Sequence, residues 1–223
     1  MIEISLKQCR DSEQHNDFLG RGDAMRVAII GADRPWGALL AAELSAEFEV
    51  VVLGTEETSD LAGYRQVDLL QREALDPALA GVEAIVHAAG GDPAGDDEGA
   101  VLDVAARGTY VALTAACAVG IEKAVLLSRL DLVRDYPEEY LVDPQWNALP
   151  RTEAKSLAPL MAELVGREIA RTGQIEVRCL RFGELDAETT TDDAVEAVRQ
   201  ALTAERKGHH WSLTHVASSG RFA

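Results

Sequence analysis

Basic side chains are scarce in this chain. Across 223 residues, 21 Lys and Arg stand against 38 Asp and Glu, a formal net charge of −17. Nucleic acids and acidic membrane faces are bound by neutralising phosphates, and a field of this sign repels them. Cysteine is nearly absent as well. Cys9, Cys117 and Cys179 are widely spaced and odd in number, which gives neither a metal spacing nor a disulfide framework. That usage fits a reducing, cytoplasmic compartment. Long apolar runs are missing too. The longest, Val111 to Ile121, is interrupted by Thr114 and Gly120 and falls far short of the ~20 residues of a bilayer span. Met1 to Asp23 holds no apolar run of secretory length. The five histidines form no ligand set, with His209, His210 and His215 in one expected strand, so no metal site is expected.

What is present is an ordinary globular balance, 47% hydrophobic and 26% charged, which excludes disorder over most of the chain. Residues 1–24 are polar and without period and read as a lead-in to a domain over 25–223. From Met25 onward, short apolar strands alternate with helices. Strands are expected at 25–30, 48–53, 64–67, 83–87, 124–128, 176–182 and 210–217. Helices are expected at 35–46, 71–80, 98–119 and 192–204, with one more ending near Thr172. Pro35 stands where a first helical turn tolerates proline, and Gly120 stands where a helix commonly ends. Continuous apolar strands separated by helices imply a parallel sheet covered on both faces. The fold class is therefore a doubly wound, Rossmann-like α/β sheet, a single domain without a sizeable substrate domain.

The first strand runs straight into Gly31-Ala32-Asp33-Arg34-Pro35-Trp36-Gly37, which opens the first helix. Glycines at such a junction permit a tight turn and close approach of backbone to a pyrophosphate, while the helix N-terminus supplies free N–H groups. The same turn also serves as a plain connection. Further segments follow in order: Val67-Asp68-Leu69-Leu70, then Gly81 to Gly90 (GVEAIVHAAG), then Arg107-Gly108-Thr109 in a helix leading to Val119 through Ser128. Together they resemble the short-chain dehydrogenase/reductase superfamily, in particular its extended, NAD-dependent epimerase/dehydratase branch, over about residues 25–185 and more faintly to the end. The resemblance implies a bound NAD(P). Gly31, Arg34, Pro35, Trp36 and Gly37 would take the pyrophosphate, with Gly54 at the end of the second strand. Asp68 and Leu69 would take the adenine, and Ala88, Ala89 and Gly90 the ribose side. Asp68 can equally cap the turn that follows it, and His87 can be a satisfied strand-end histidine.

Three departures from the family pattern bear on function. The middle glycine of its Gly-x-x-Gly-x-x-Gly turn is Arg34, whose forked donors either pair with phosphate or obstruct the site. Its Tyr-x-x-x-Lys pair, in which Lys lowers a phenol pKa for proton exchange, is absent: no Tyr here has Lys four positions on. Lys155 is the nearest match to the lysine, with Arg151 where the tyrosine is expected, and Pro159 would clash with the Lys155 carbonyl in a continuous helix. The family's Ser or Thr falls near Arg129, one past Ser128. Finally, only Gly183 to Thr191 separates the sixth strand from the next helix, where extended members insert a substrate region.

After the second strand, Gly54-Thr55 supplies no acid for the ribose of NAD, and with Arg34 nearby the balance leans slightly to NADP, against Glu56 and Glu57. The acidic, Gly-rich stretch 91–99 is read as a solvated connection, with a lid over the cofactor as the alternative. Leu157, Leu160, Met161, Leu164 and Val165 form a helical stripe suited to core packing, and in the family also to a homodimer. Two functional readings lead: an atypical NAD(P)-dependent oxidoreductase or epimerase/dehydratase-like enzyme on a small carbonyl or sugar compound, and a non-catalytic NAD(P)-binding sensor or regulator. A degenerate interaction module is the third. For the enzyme, His87, Ser128 and Lys155 are the catalytic candidates.

Overall fold

The computed structural model describes residues 24–205, 208 and 210–222; the lead-in expected over 1–24 lies outside them except for Ala24, as do Cys9 and His209. Seven strands form one sheet: β1 (Arg26–Ile30), β2 (Glu49–Gly54), β3 (Arg65–Gln66), β4 (Ala84–His87), β5 (Lys123–Arg129), β6 (Glu176–Phe182) and β7 (Trp211–Val216). All pairings are parallel, in the order β3-β2-β1-β4-β5-β6-β7. The chain builds outward from β1 in one direction, then returns to add β4 on its other side. The crevice at that reversal is where a doubly wound sheet places a ligand.

Burial explains why the strands read as unbroken apolar runs. Val27, Ala28, Ile29 and Ile30 are all fully buried, because helices cover both faces. One face packs under α1 (Pro35–Leu44) and α6 (Thr191–Thr203), with Val27, Ile29, Leu40, Val198 and Leu202 in one core. The other packs under α4 (Thr109–Ala118) and α5 (Ala154–Ala170), with Ile30, Leu113, Ala116, Leu126 and Ala162. Before α4 come α2 (Arg72–Leu75), α3 (Glu98–Asp103) and a π-helical turn over Val104–Gly108. The run Glu98–Ala118 is long and apolar enough to cross a membrane by length and composition, but half of its apolar window is buried in the fold. It is a core helix.

Two expected elements differ. The helix expected over 71–80 shortens to α2: Asp76 keeps helical backbone, but Pro77 has no N–H to donate to the Glu73 carbonyl, and the chain continues in turns. The helix α5 does continue through Pro159, against the clash foreseen there. The proline is buried near the start of a helix whose small faces, Ala158, Ala162 and Gly166, pack closely enough to hold it. Of the α5 stripe, Leu157, Leu160, Met161 and Val165 are half-buried and Leu164 is exposed. The loop after β5 begins with a 3-10 turn at Leu130–Val133 and is fastened by the end of the chain: the Arg221 guanidinium donates to the carbonyls of Arg134, Tyr136 and Pro137, beside Val142 and Phe222.

The centre of the sheet rests on glycine. Gly31 has φ +88°, and a Cβ there would stand 2.5 Å from the backbone nitrogen of Ala89. A Cβ on Gly37 would stand 2.0 Å from the Gly31 carbonyl oxygen. Gly31→Ala is therefore expected to cost about 3 kcal/mol by thermal or urea unfolding, from backbone strain plus collision. Gly95→Ala, at φ +87° but with open space around it, is expected to lose only the strain, about 1 kcal/mol. Equal losses would show that the β1–β4 approach carries no load of its own.

Candidate functional site

The β1 turn is a strand running into a helix whose first four N–H groups have no helical acceptor. Arg34 is the residue before α1, in extended backbone, and Pro35 opens the helix. The guanidinium does not lie across the turn. It reaches to the end of β2, where Nη2 donates to Thr55 Oγ1 at 2.8 Å and the carboxylates of Asp33 and Glu56 each stand 3.7 Å away. Asp33 organises that corner: its Oδ2 accepts from the Thr55 N–H (2.9 Å), the Thr55 hydroxyl (2.7 Å) and the Glu56 N–H (3.0 Å). Its Oδ1 and the Arg34 Nε are buried without a protein partner. Gly54 is required here, because a Cβ would meet Tyr64 and Asp33 Oδ1 within 2.7 Å. Burial, with Asp33 and Glu56 nearby, raises the Tyr64 pKa.

Beside this corner a cavity of about 460 Å³ opens between the ends of β2 and β3 and the π-helical turn, lined by Thr55, Gln66, Asp68, Leu69 and Val104. Asp68 lines it and also accepts from the Leu70 N–H at 2.8 Å, so the turn cap foreseen for it is present as well. At the other end, Ala88, Ala89 and Gly90 are buried at the exit of β4, directly against the β1 turn.

The exit of β4 also carries Asp92. Its amide donates to the Ala88 carbonyl, and its carboxylate faces Arg129 Nη1 at 3.6 Å, with the backbone N–H of Trp36 close by. Burial raises its pKa, with Arg129, the Trp36 N–H and Arg34 opposing. A carboxylate thus occupies the anion-attracting end of α1. The rest of the stretch through Glu98 is largely exposed, and Asp97 caps α3 through the Ala100 N–H at 3.1 Å.

The three catalytic candidates are not brought together. Ser128 is buried and donates to Glu163 Oε1 at 2.5 Å; Glu163 in turn accepts two 2.7 Å bonds from Arg181 Nε and Nη2. His87 is fully buried, its Nε2 3.0 Å from Thr109 Oγ1, and burial lowers its pKa to about 4. Lys155 is exposed on the first turn of α5 and pairs with Asp96 at 3.2 Å. Among the described residues no group of acidic, histidine and cysteine side chains could hold a metal. Sequence reasoning missed Asp33, Asp92 and the Glu163–Arg181 pair. Asp33 could have been found, since it is an acid within the glycine turn itself, next to Arg34. The others are joined only by the fold.

Comparisons with known proteins agree with this architecture. Residues 46–151 match the model of the 3-beta hydroxysteroid dehydrogenase/isomerase family. No curated protein matches the chain. Among solved structures, uronate dehydrogenase from Agrobacterium tumefaciens superposes with TM-score 0.77 at 20% identity, covering 87% of this chain and 77% of that one. The enzyme WbmG of Bordetella bronchiseptica, solved in complex with NAD, gives 0.72 at 14%, covering 89% and 74%. UDP-N-acetylglucosamine 4-epimerase from Bacillus cereus gives 0.70 at 19%, covering 88% and 79%. At these identities the likeness is one of fold.

The buried imidazole makes stability depend on pH. Because the folded pKa of His87 lies below the unfolded value of 6.5, its share of stability is complete above pH 6.5 and is lost as pH falls toward 4. The loss is roughly 3 kcal/mol at the acid end. His87→Gln, which keeps a partner for Thr109, should flatten that limb of the stability–pH curve measured by urea unfolding. An unchanged limb would place the imidazole in solvent.

Proposed function

We propose that this chain, a member of the extended short-chain dehydrogenase/reductase superfamily by its fold and by the match over residues 46–151, binds NAD and acts as an atypical oxidoreductase or epimerase-like enzyme on a sugar or uronic-acid compound. The observation that carries this reading is the groove itself. The β1 turn opens α1 at the point where the strand order reverses, with Gly31 and Gly37 letting its backbone close on Ala89, and the 460 Å³ cavity opens at the neighbouring ends of β2 and β3, where Arg34 meets Thr55. Gly31 to Gly37 would hold the pyrophosphate on the α1 N-terminus, Asp68 and Leu69 the adenine, and Ala88 to Gly90 the ribose side. The solved structures with NAD bound, and the uronate and nucleotide-sugar enzymes among them, support the ligand and substrate class.

The dinucleotide is NAD rather than NADP. The lean to NADP rested on the missing acid after β2 and on Arg34 nearby, and Arg34 is engaged by Thr55, Asp33 and Glu56. Asp33 Oδ1, buried without a partner beside Gly54, can accept from a ribose hydroxyl, whereas a 2′-phosphate would meet two carboxylates there.

When bound, the nicotinamide supplies hydride exchange. The proton that balances it is held by Asp92 rather than by a tyrosine. Asp92 keeps its carboxyl proton to higher pH than an exposed aspartate and stands beside Arg129, where the family's Ser or Thr falls. Oxidation of a hydroxyl would pass its proton to ionised Asp92 Oδ2, and reduction would return it. Protonated, the same group relieves repulsion with the pyrophosphate at the Trp36 N–H. A second reading, binding without turnover, is favoured by the separation of Ser128, His87 and Lys155.

Titration calorimetry with NADH and NADPH, alongside hydride-transfer assays on glucuronate and UDP-glucuronate, tests the reading. NADH is expected to bind at least tenfold tighter than NADPH, with the preference lost in Asp33→Asn. Asp92→Asn is expected to bind NADH more tightly while turnover drops by two orders of magnitude or more. Tight NADH binding without turnover by the wild type would establish the second reading, and no binding at all would sink both.

A further inference from the structure

A separate cavity lies against the outer half of the sheet, between the loop at Pro144–Ala148, α5 and β7, with a volume of about 440 Å³. The Ser128 row reaches it from below. Ser128, Arg181 and His215 are register partners across β5, β6 and β7, and Glu163 descends onto them from α5. Arg181 lines the cavity, and its side chain is only 3% exposed. Glu163 takes Nε and Nη2, but Nη1 is buried with no acceptor in the protein. A buried charged donor left without an acceptor is costly, and a small anionic acceptor relieves it.

The walls say what carries that acceptor. Trp146, whose ring also meets Tyr136 edge-on, and Trp211 line it with their indoles, Leu160 and Leu213 add apolar surface, and Asn147 adds an amide. We infer that this cavity is a binding site for a single-ring carboxylic acid, its ring between the two tryptophans and its carboxylate on Arg181 Nη1. The negative charge of Glu163 is paired with Arg181 through two bonds, with a third from Ser128, so the pair as a whole presents no net negative charge to the cavity. Arg167 at the lining adds positive charge. The volume suits a compound of one ring, within the range of small-molecule sites. An aromatic acid and a sugar acid share this chemistry, a flat apolar face with one carboxylate.

The site is tested by tryptophan fluorescence in full-length Trp36→Phe protein, which confines the signal to Trp146 and Trp211. Benzoate and glucuronate are the two acid probes and methyl benzoate the uncharged control. Saturable quenching by at least one acid at sub-millimolar Kd is expected, with the ester at least tenfold weaker; which acid binds tells aromatic from sugar source. Arg181→Lys should weaken binding at least tenfold. Because that change disturbs a buried ion pair and can unfold the protein, Ala148→Phe, which adds no indole to the signal, is the second variant. It fills the cavity from the loop side, leaves Arg181 and Glu163 intact, and should abolish quenching with the melting temperature retained. No saturation by either acid, equal binding of the ester, or undiminished binding by Ala148→Phe would each overturn the site.

Discussion

Two backbone turns meet at the middle of the sheet at a separation that no side chain fits. Gly31 presses on Ala89, and the first turn of α1 presses through Gly37 on the Gly31 carbonyl. That contact fixes how closely β1, β4 and α1 approach one another, and so fixes the crevice between them. The end of β2, the exit of β4 and the N-terminus of α1 converge there because the backbone leaves no slack. A larger residue at either glycine would push the helix off the sheet and open every contact that follows.

The corner at β2 shows how an arginine in a glycine turn is absorbed. An arginine in place of a turn glycine brings a charge into a nearly closed space. The chain answers with Asp33 and Glu56 and with the Thr55 hydroxyl, so the guanidinium is held sideways rather than across the turn. Buried ion pairs of this kind add little net stability, because desolvation offsets attraction, but they punish any other arrangement. The same logic applies to Glu163 and Arg181, which tie α5 to the sheet in one rotation and carry Ser128 with them. Polar groups here specify geometry, while the apolar cores on either face supply the driving force.

The fold was legible because its signals are local and periodic. All seven strands stand where apolar runs and turn residues place them, and β6 matches to the residue. The errors arise where proline and packing compete. Pro77 cut a helix short, whereas Pro159 was overruled by the close fit of Ala158 against Val101 and Ala105 and of Ala162 and Gly166 toward the sheet. The candidate site was legible only in part. The glycine turn, Gly54 and the Asp68 cavity could be read from segments adjacent in sequence. Asp92 could not, because its meaning comes from Arg129 and the Trp36 amide, both distant along the chain. Ser128 and His87 looked reactive by residue type, yet each is engaged within the interior.

The position of β1 governs how the molecule can assemble. Its partner on one side, β2, follows after a single helix, but its partner on the other pairs Val27 with Ala84, across all of β2, β3 and α2. Loop closure must be achieved before that pairing gives any return, so the β1–β4 seam is a late and slow contact. Until it forms, β1 exposes one whole edge of unpaired amides and carbonyls, and the nascent β1–β2 unit is the species most prone to pair with another chain. The junction that shapes the crevice is thus also one of the two pairings, with β5–β6, that must close the longest loops of the sheet.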